Sequence, residues 1–323
     1  MKNIAIISGG FSGERVISIE SAKFVLKNLD ATKYVGYQII IEETSWYFID
    51  ENGDRFEIEK NDFSLNLPSG KIKFDRVFNI IHGDPGENGK MQAYFEILGI
   101  LSTSSSSVIS ALTFNKAYCN KVVAGLGVNV AEEVFLNKKD KIDVKQILEH
   151  VGLPCFVKPN AGGSSIGMSK VHNAEELLPA IEMAFKEDNQ VLVERFVKGR
   201  EITCGLINSK GSDFVLPLCE VVSKKEFFDY EAKYNGDLAE EIIPAIVEKN
   251  FEKSIKSTSV FLYHKLNCSG VVRMDYIITE DNIFFLEVNT IPGLSSASIV
   301  PKMAKEFGWS FNELIDKILE EAN

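Results

Sequence analysis

Four residues near the carboxyl end, Arg273, Asp275, Glu287 and Asn289, combine side chains suited to holding a metal against phosphate oxygens. They lie in two apolar runs, Val271–Ile278 and Ile283–Val288, separated by the polar Glu280-Asp281-Asn282, a spacing that reads as a β-hairpin. Strand alternation places Phe284, Leu286 and Val288 on a core face, with Ile283, Phe285, Glu287 and Asn289 opposite. A turn centred on Asp281 sets Asp275 across from Glu287 and Arg273 across from Asn289. Facing carboxylates repel on a ladder. A hard cation offsets that repulsion, and two carboxylates with an amide oxygen suit Mg2+, which completes its shell with substrate phosphates. A solvated hairpin face in another register explains the spacing equally well.

Other stretches must bring such a hairpin its reaction partners. Asn3–Ser8, the break at Gly9-Gly10-Phe11-Ser12-Gly13 and the apolar stripe Ile19, Ala22, Val25, Leu26, Leu29 read as strand, turn and helix. The turn is not the GxGxxG fingerprint of a dinucleotide site. The run Trp46–Ile49 and Phe56–Ile58 flank an Asn52-Gly53 hairpin turn. Arg76–Ile81 reads as a buried parallel strand that delivers His82 and a glycine-rich loop to its carboxyl end, where open α/β sheets place ligands. Between the strand-like runs around Cys155–Lys158 and Ser169–Val171 lies a Gly/Ser loop whose uncovered backbone N–H groups form a candidate phosphate cradle. Lys158 supplies a positive charge beside it. A flexible hairpin tip is the simpler explanation of that loop taken alone, and the GxxxxGK[ST] pattern of a P-loop is absent. Helices are expected over Val144–Val151, Ala174–Phe185, Phe251–Leu266 and Phe311–Glu320. Leu101–Ser107 is a polar run of linker or helix-capping character, and Glu220–Pro244 reads as a long loop of the functional kind.

The 323 residues carry a net charge of −11, with 45% hydrophobic and 25% charged residues. That composition is globular and long enough for two or three domains. The negative charge argues against nucleic-acid binding. Five scattered cysteines without a CxxC pair fit a reducing compartment. No run approaches the roughly 18 apolar residues of a membrane span, and Met1–Ser8 has no signal-peptide core. A cytoplasmic protein with no membrane or nucleic-acid partner is expected.

Arg273-x-Asp275, Glu287-x-Asn289-x-x-Pro292-Gly293-Leu294 and Ser298 resemble the metal-binding and catalytic strand pair of ATP-grasp ligases, and more narrowly the D-alanine:D-alanine ligase family. Gly9-Gly10-Phe11-Ser12-Gly13-Glu14-Arg15 and the Lys158-Pro159 to Gly167 loop are similar to further family motifs. So is His82-Gly83-Asp84-Pro85-Gly86-Glu87-Asn88-Gly89, with Asn88 where the family has Asp. The resemblance implies an α/β, three-domain ATP-grasp architecture. Residues 1–102 form an N-terminal Rossmann-like domain, 103–190 a central lobe with the glycine-rich loop, and 191–323 a lobe with the ω-loop and metal site. It implies ATP-dependent joining of two D-alanines, through an acyl phosphate, for peptidoglycan precursors. Two Mg2+ ions, replaceable by Mn2+, would sit on Asp275, Glu287 and Asn289.

By the same resemblance, Lys116, Lys158, Ser164 and Lys233 would meet the ATP phosphates, while Glu194, Arg195, Val197 and Glu201 would meet adenine and ribose. Glu14 would contact the ammonium of the first D-alanine, and His82 would lie near substrate. Arg273 and the Gly293 N–H would form the oxyanion site, and Ser298 would hold the second carboxylate. Tyr234, in Asp229-Tyr230-Glu231-Ala232-Lys233-Tyr234, would join Glu14 and Ser164 in closing the family's mobile ω-loop over the site. A homodimer is implied as well. The rival readings are a ligase for another pair, such as D-alanine with D-serine, a non-catalytic nucleotide-binding protein on the same fold, and a dehydrogenase.

Overall fold

The computed structural model describes residues 1–163, 165–223 and 239–322, which form three sheets. The first contains β1 (Lys2–Gly9), β2 (Tyr34–Ile41), β3 (Trp46–Ile49), β4 (Arg55–Glu59), β5 (Ser64–Leu67), β6 (Gly70–Ile72), β7 (Arg76–Asn79) and β8 (Leu101–Ser102). Their order is β6-β5-β4-β3-β2-β1-β7-β8, with β2, β1, β7 and β8 parallel. The central strand β1 is buried on both faces, as its unbroken apolar run requires. Ile4 and Ile6 pack with Ala22 and Val25 of α1 (Arg15–Lys27), while Ala5 and Ile7 pack with Phe63 and with Phe95 of α2 (Lys90–Leu98). Both β1 and β7 end at the same edge, where they release the turn holding Glu14 and the loop holding His82.

Helices α3 (Ser107–Phe114) and α4 (Lys116–Gly125) lead to an antiparallel sheet in the order β11 (Ser169–Val171), β10 (Cys155–Pro159), β12 (Gln190–Arg195), β9 (Glu133–Asn137). It is covered by α5 (Val144–Val151) and α6 (Ala174–Glu187) through Ile147, Val151, Leu177, Ile181 and Ala184. The expected break at 190/191 falls at the start of β12, which is hydrogen-bonded into this sheet on both sides.

The third sheet runs β16 (Ala239–Ile242), β15 (Cys219–Ser223), β13 (Arg200–Ser209), β17 (Val271–Ile278), β18 (Ile283–Asn289), with β14 (Ser212–Val215) also on β13. On one face, α7 (Lys249–Lys265) buries Ile255 and Leu262 against Val272, Met274 and Tyr276. On the other, α8 (Ile299–Glu306) and α9 (Phe311–Glu320) pack Met303, Leu314 and Ile318 against Val271 and against Ile4, Ile6 and Phe78 of the first sheet. The first and third sheets therefore share a core.

The β17–β18 hairpin has the expected pairs Arg273–Asn289 and Asp275–Glu287, but Tyr276 then pairs with Phe285, leaving Leu286 as a β-bulge. An extra residue reverses the alternation on its strand. Phe285, expected on the site face, is therefore only 3% exposed, while Phe284 and Leu286, expected in the core, are half-buried on the cavity wall. The core residues of β18 are Phe285 and Val288.

The serine-rich run is also not a solvated linker. Ser102, Thr103, Ser104 and Ser105 are buried. The Ser105 hydroxyl donates to the Ser269 carbonyl at 3.1 Å, and the Ser269 hydroxyl donates to the Ser104 carbonyl at 3.2 Å. Gly270 passes so close, at φ +68°, that a Cβ would stand 2.1 Å from the Thr103 carbonyl oxygen. This contact ties the first sheet to the strand that carries Arg273 and Asp275.

Candidate active site

The three sheets enclose a cavity of about 790 Å3. Every described residue named from the sequence as a site residue lines it. Glu14 and His82 come from the loops after β1 and β7, and Lys116 from the start of α4. Lys158, Glu194, Arg195 and Val197 come from the second sheet and the turn after it. Glu201, Arg273, Asp275, Glu287 and Asn289 come from the third, and Gly293 and Ser298 from the segment before α8. Ser164, Lys233 and Tyr234 lie outside the described residues.

Asp275 is 3% exposed and held from three sides. Arg273 Nη2 donates to its Oδ2 at 2.9 Å, Thr203 Oγ1 to its Oδ1 at 2.8 Å and Asn289 Nδ2 to its Oδ2 at 3.2 Å. Glu287 stands 4.0 Å from Arg273 and 3.9 Å from Lys116. Burial opposes the charge on Arg273, but Asp275 and then Glu287 outweigh it and raise the guanidinium pKa, so the charge is fixed. The facing carboxylates are thus offset by cations from two elements. Among the described residues no group of three His, Cys, Asp or Glu forms a metal cluster. The set here is two carboxylates and one amide, all with oxygen donors on one cavity wall.

Lys158 and Glu194, side chains 10% and 7% exposed, form an ion pair at 2.9 Å across the β10–β12 ladder. Lys116 Nζ donates to the Gly162 carbonyl at 2.6 Å, which anchors the glycine-rich loop to α4. The Arg195 side chain turns away to the Val151 carbonyl and to Glu132, and its backbone N–H donates to the Glu132 carbonyl at 2.9 Å.

His82 is buried, and its Nδ1–H donates to the Ile291 carbonyl at 3.0 Å. Burial lowers its pKa, against the opposing pull of Glu14, so the ring is neutral and Nε2 is an acceptor. Nε2 is buried and has no hydrogen-bond partner among the described residues. Beside it, Glu87 accepts the Gly83 N–H at 2.6 Å. Burial first, and Glu14 second, push the Glu87 carboxyl up to about 8. Ser12 joins the two loops, donating to the His82 carbonyl at 2.9 Å and accepting the Glu14 N–H at 3.3 Å.

Sequence reasoning passed over Glu87, Thr203 and Ser295 as site residues. Glu87 stands in the quoted His82 motif, so its spacing was a usable signal. Thr203 meets Asp275 only through the β13–β17 register, which no local pattern reveals.

Two family models match the chain: D-ala D-ala ligase N-terminus over residues 3–105 and D-ala D-ala ligase C-terminus over residues 122–320. The chain belongs to the D-alanine–D-alanine ligase family. A relative from Flavobacterium johnsoniae with that name is 46% identical over 99% of both chains. The solved D-Ala:D-Ser ligase VanG from Enterococcus faecalis superposes with a TM-score of 0.87 at 33% identity, covering 98% of each chain. The Bacillus anthracis family member solved with ATP gives a TM-score of 0.79 at 27% identity, covering 99% of this chain and 97% of that one. These matches agree with the mixed α/β architecture and with the ATP-grasp resemblance drawn from the motifs.

Proposed function

We propose that this chain joins two D-alanines to D-alanyl-D-alanine, using ATP and releasing ADP and phosphate, for peptidoglycan precursors. What supports this most is the convergence on one cavity of separated motifs from all three sheets. ATP would lie between the second and third sheets, with Lys116 and Lys158 at its phosphates and Glu194, Glu201 and the Arg195–Val197 turn around adenine and ribose. Asp275, Glu287 and Asn289 offer only hard oxygen donors beside that position, so the residues present fit Mg2+. When bound, Mg2+ neutralises charge on the phosphates.

Glu14 would hold the ammonium of the first D-alanine, with His82 Nε2 as a neighbouring acceptor. The carboxylate of that substrate then attacks the γ-phosphoryl group and ADP leaves, giving the acyl phosphate. The amine of the second D-alanine attacks the acyl carbon, phosphate departs, and the nitrogen loses a proton to become the amide. Arg273 and the Gly293 N–H would stabilise the oxyanion, and Ser298 would fix the second carboxylate. Ser164, Lys233 and Tyr234 keep roles assigned by resemblance alone. We divide the chain into the three domains implied by its motifs, with the central lobe extended through Arg195 to include all of β12, and we place it in the cytoplasm as a homodimer.

The test is phosphate release from Mg2+-ATP with D-alanine, L-alanine, D-serine or D-lactate, the product being identified by mass. Release that depends on D-alanine and yields the dipeptide is expected. The likeness to a D-Ala:D-Ser ligase makes D-serine the informative competitor, and a mixed dipeptide as main product would replace this reading. Nucleotide binding without turnover on any of them would refute it.

A further inference from the structure

The hydroxyl assigned above to the second carboxylate is not isolated. Ser298 occupies the N-cap of α8, where a serine oxygen ordinarily accepts an amide proton from the first turn, yet its side chain makes no capping bond. It is turned back onto Ser295. The Ser295 backbone N–H donates to Ser298 Oγ at 3.1 Å, and the two hydroxyl oxygens are 2.9 Å apart. Both serines are half-buried and line the cavity. Gly293 approaches the same point, since a Cβ there would lie 2.7 Å from Ser298 Oγ.

A hydroxyl has one proton and two lone pairs. The bond between the serines uses one of the pair's two protons, and the Ser295 N–H fills one lone pair on Ser298. One O–H therefore remains to point outward. When Ser295 donates to Ser298, both Ser298 lone pairs are filled and its own proton is left to donate into the cavity, strengthened by the bonds it accepts. The first amides of a helix also have no intrahelical acceptor, and Ile299 and Val300 line the cavity.

We propose that the Ser295 hydroxyl is the donor in this pair, and that Ser295 is thereby a positioning residue that makes Ser298 a donor only, so that the second subsite selects an amino acid with a free carboxylate over one whose carboxyl is an amide. This deepens the ligase reading and rests on it. An amide group brings N–H donors that need an acceptor, and with Ser295 in place Ser298 has none to offer. In Ser295→Ala a lone pair reopens and the discrimination relaxes.

The test uses the full chain with Mg2+-ATP and equal concentrations of D-alanine and D-alaninamide, which can act only as the second substrate. The ratio of D-alanyl-D-alaninamide to D-alanyl-D-alanine is read by mass. Ser295→Ala is expected to raise it about three- to tenfold, the range of one net hydrogen bond. Ser295→Thr, which restores the hydroxyl, should return the wild-type ratio. In a Ser298→Ala background, Ser295→Ala should change nothing further. A general structural defect would lower both products and leave the ratio unmoved. An unchanged ratio in Ser295→Ala, or failure of the threonine variant to restore it, overturns the proposal. Should the alanine variant not fold, Ser295→Cys, with a weaker donor, carries the same expectation. Failure of the wild-type chain to make dipeptide would instead refute the ligase reading.

Discussion

Replacing Glu87 by glutamine tests how the cavity manages its charge. The folded chain holds the Glu87 proton up to about pH 8, against an ordinary 4.5 for glutamate. Between those values the native state keeps a proton that the unfolded chain has released. Stability therefore falls as pH rises through the window, is unaffected below about 4.5, and has lost the full contribution above about 8. Each unit inside the window costs about 1.4 kcal/mol, so the wild-type chain should lose roughly 2.5 kcal/mol between about pH 5 and pH 7. Glu87→Gln should not, because the amide oxygen can still accept the Gly83 N–H and carries no charge. With an unfolding entropy of about 2.1 cal/mol/K per residue over 323 residues, the difference in Tm between variant and wild type should widen by roughly 4 °C. Differential scanning calorimetry of both proteins across that range measures it. A Tm difference that is flat with pH, or that narrows as pH rises, would refute the argument that Glu87 is protonated in the folded state.

Gly270→Ala should destabilise the chain by more than about 2 kcal/mol and depress turnover, because it combines a left-handed φ with a Cβ driven into Thr103. Gly211→Ala, at φ +77° with open space around it, should cost only about 1–2 kcal/mol, so equal losses in denaturant would show that the Thr103 contact is slack. Phe285→Ala should cost about 3–5 kcal/mol and Leu286→Ala far less; the reverse order in urea titrations would mean that the bulge is misplaced. Glu194→Ala leaves the Lys158 ammonium buried without its partner, which should cost about 3–5 kcal/mol; a Tm close to wild type would show that water reaches the pair.

The site was readable where one motif carries its own geometry. Facing carboxylates on a hairpin are unfavourable by themselves, so the pairing of Asp275 with Glu287 drawn from the spacing marks a candidate site, and the structure has that pairing. His82 was readable because a parallel strand delivers its loop to the carboxyl edge of the sheet, and β1 and β7 do end at one edge; Glu14 was named by the resemblance alone. The glycine-rich loop and Lys158 followed from composition, since small residues leave backbone amides open.

What could not be read depends on contacts between distant segments. Polar residues in a row suggest solvent, and nothing local in Leu101–Ser107 reveals that Ser269 and Gly270 will close over it. The bulge at Leu286 is hidden for a related reason. Alternation counted from the turn and alternation counted from the carboxylates differ by one residue, and only packing decides where the extra residue goes. Here β17 and the segment after α4 decide it: Tyr276 packs edge-on against Phe285 with ring centroids 6.0 Å apart, and the Phe285 N–H donates to the Asn129 carbonyl at 2.8 Å. That places Phe285 inward while Glu287 and Asn289 stay on the site. The bulge lets one short strand satisfy a core and a charged site whose spacings do not match.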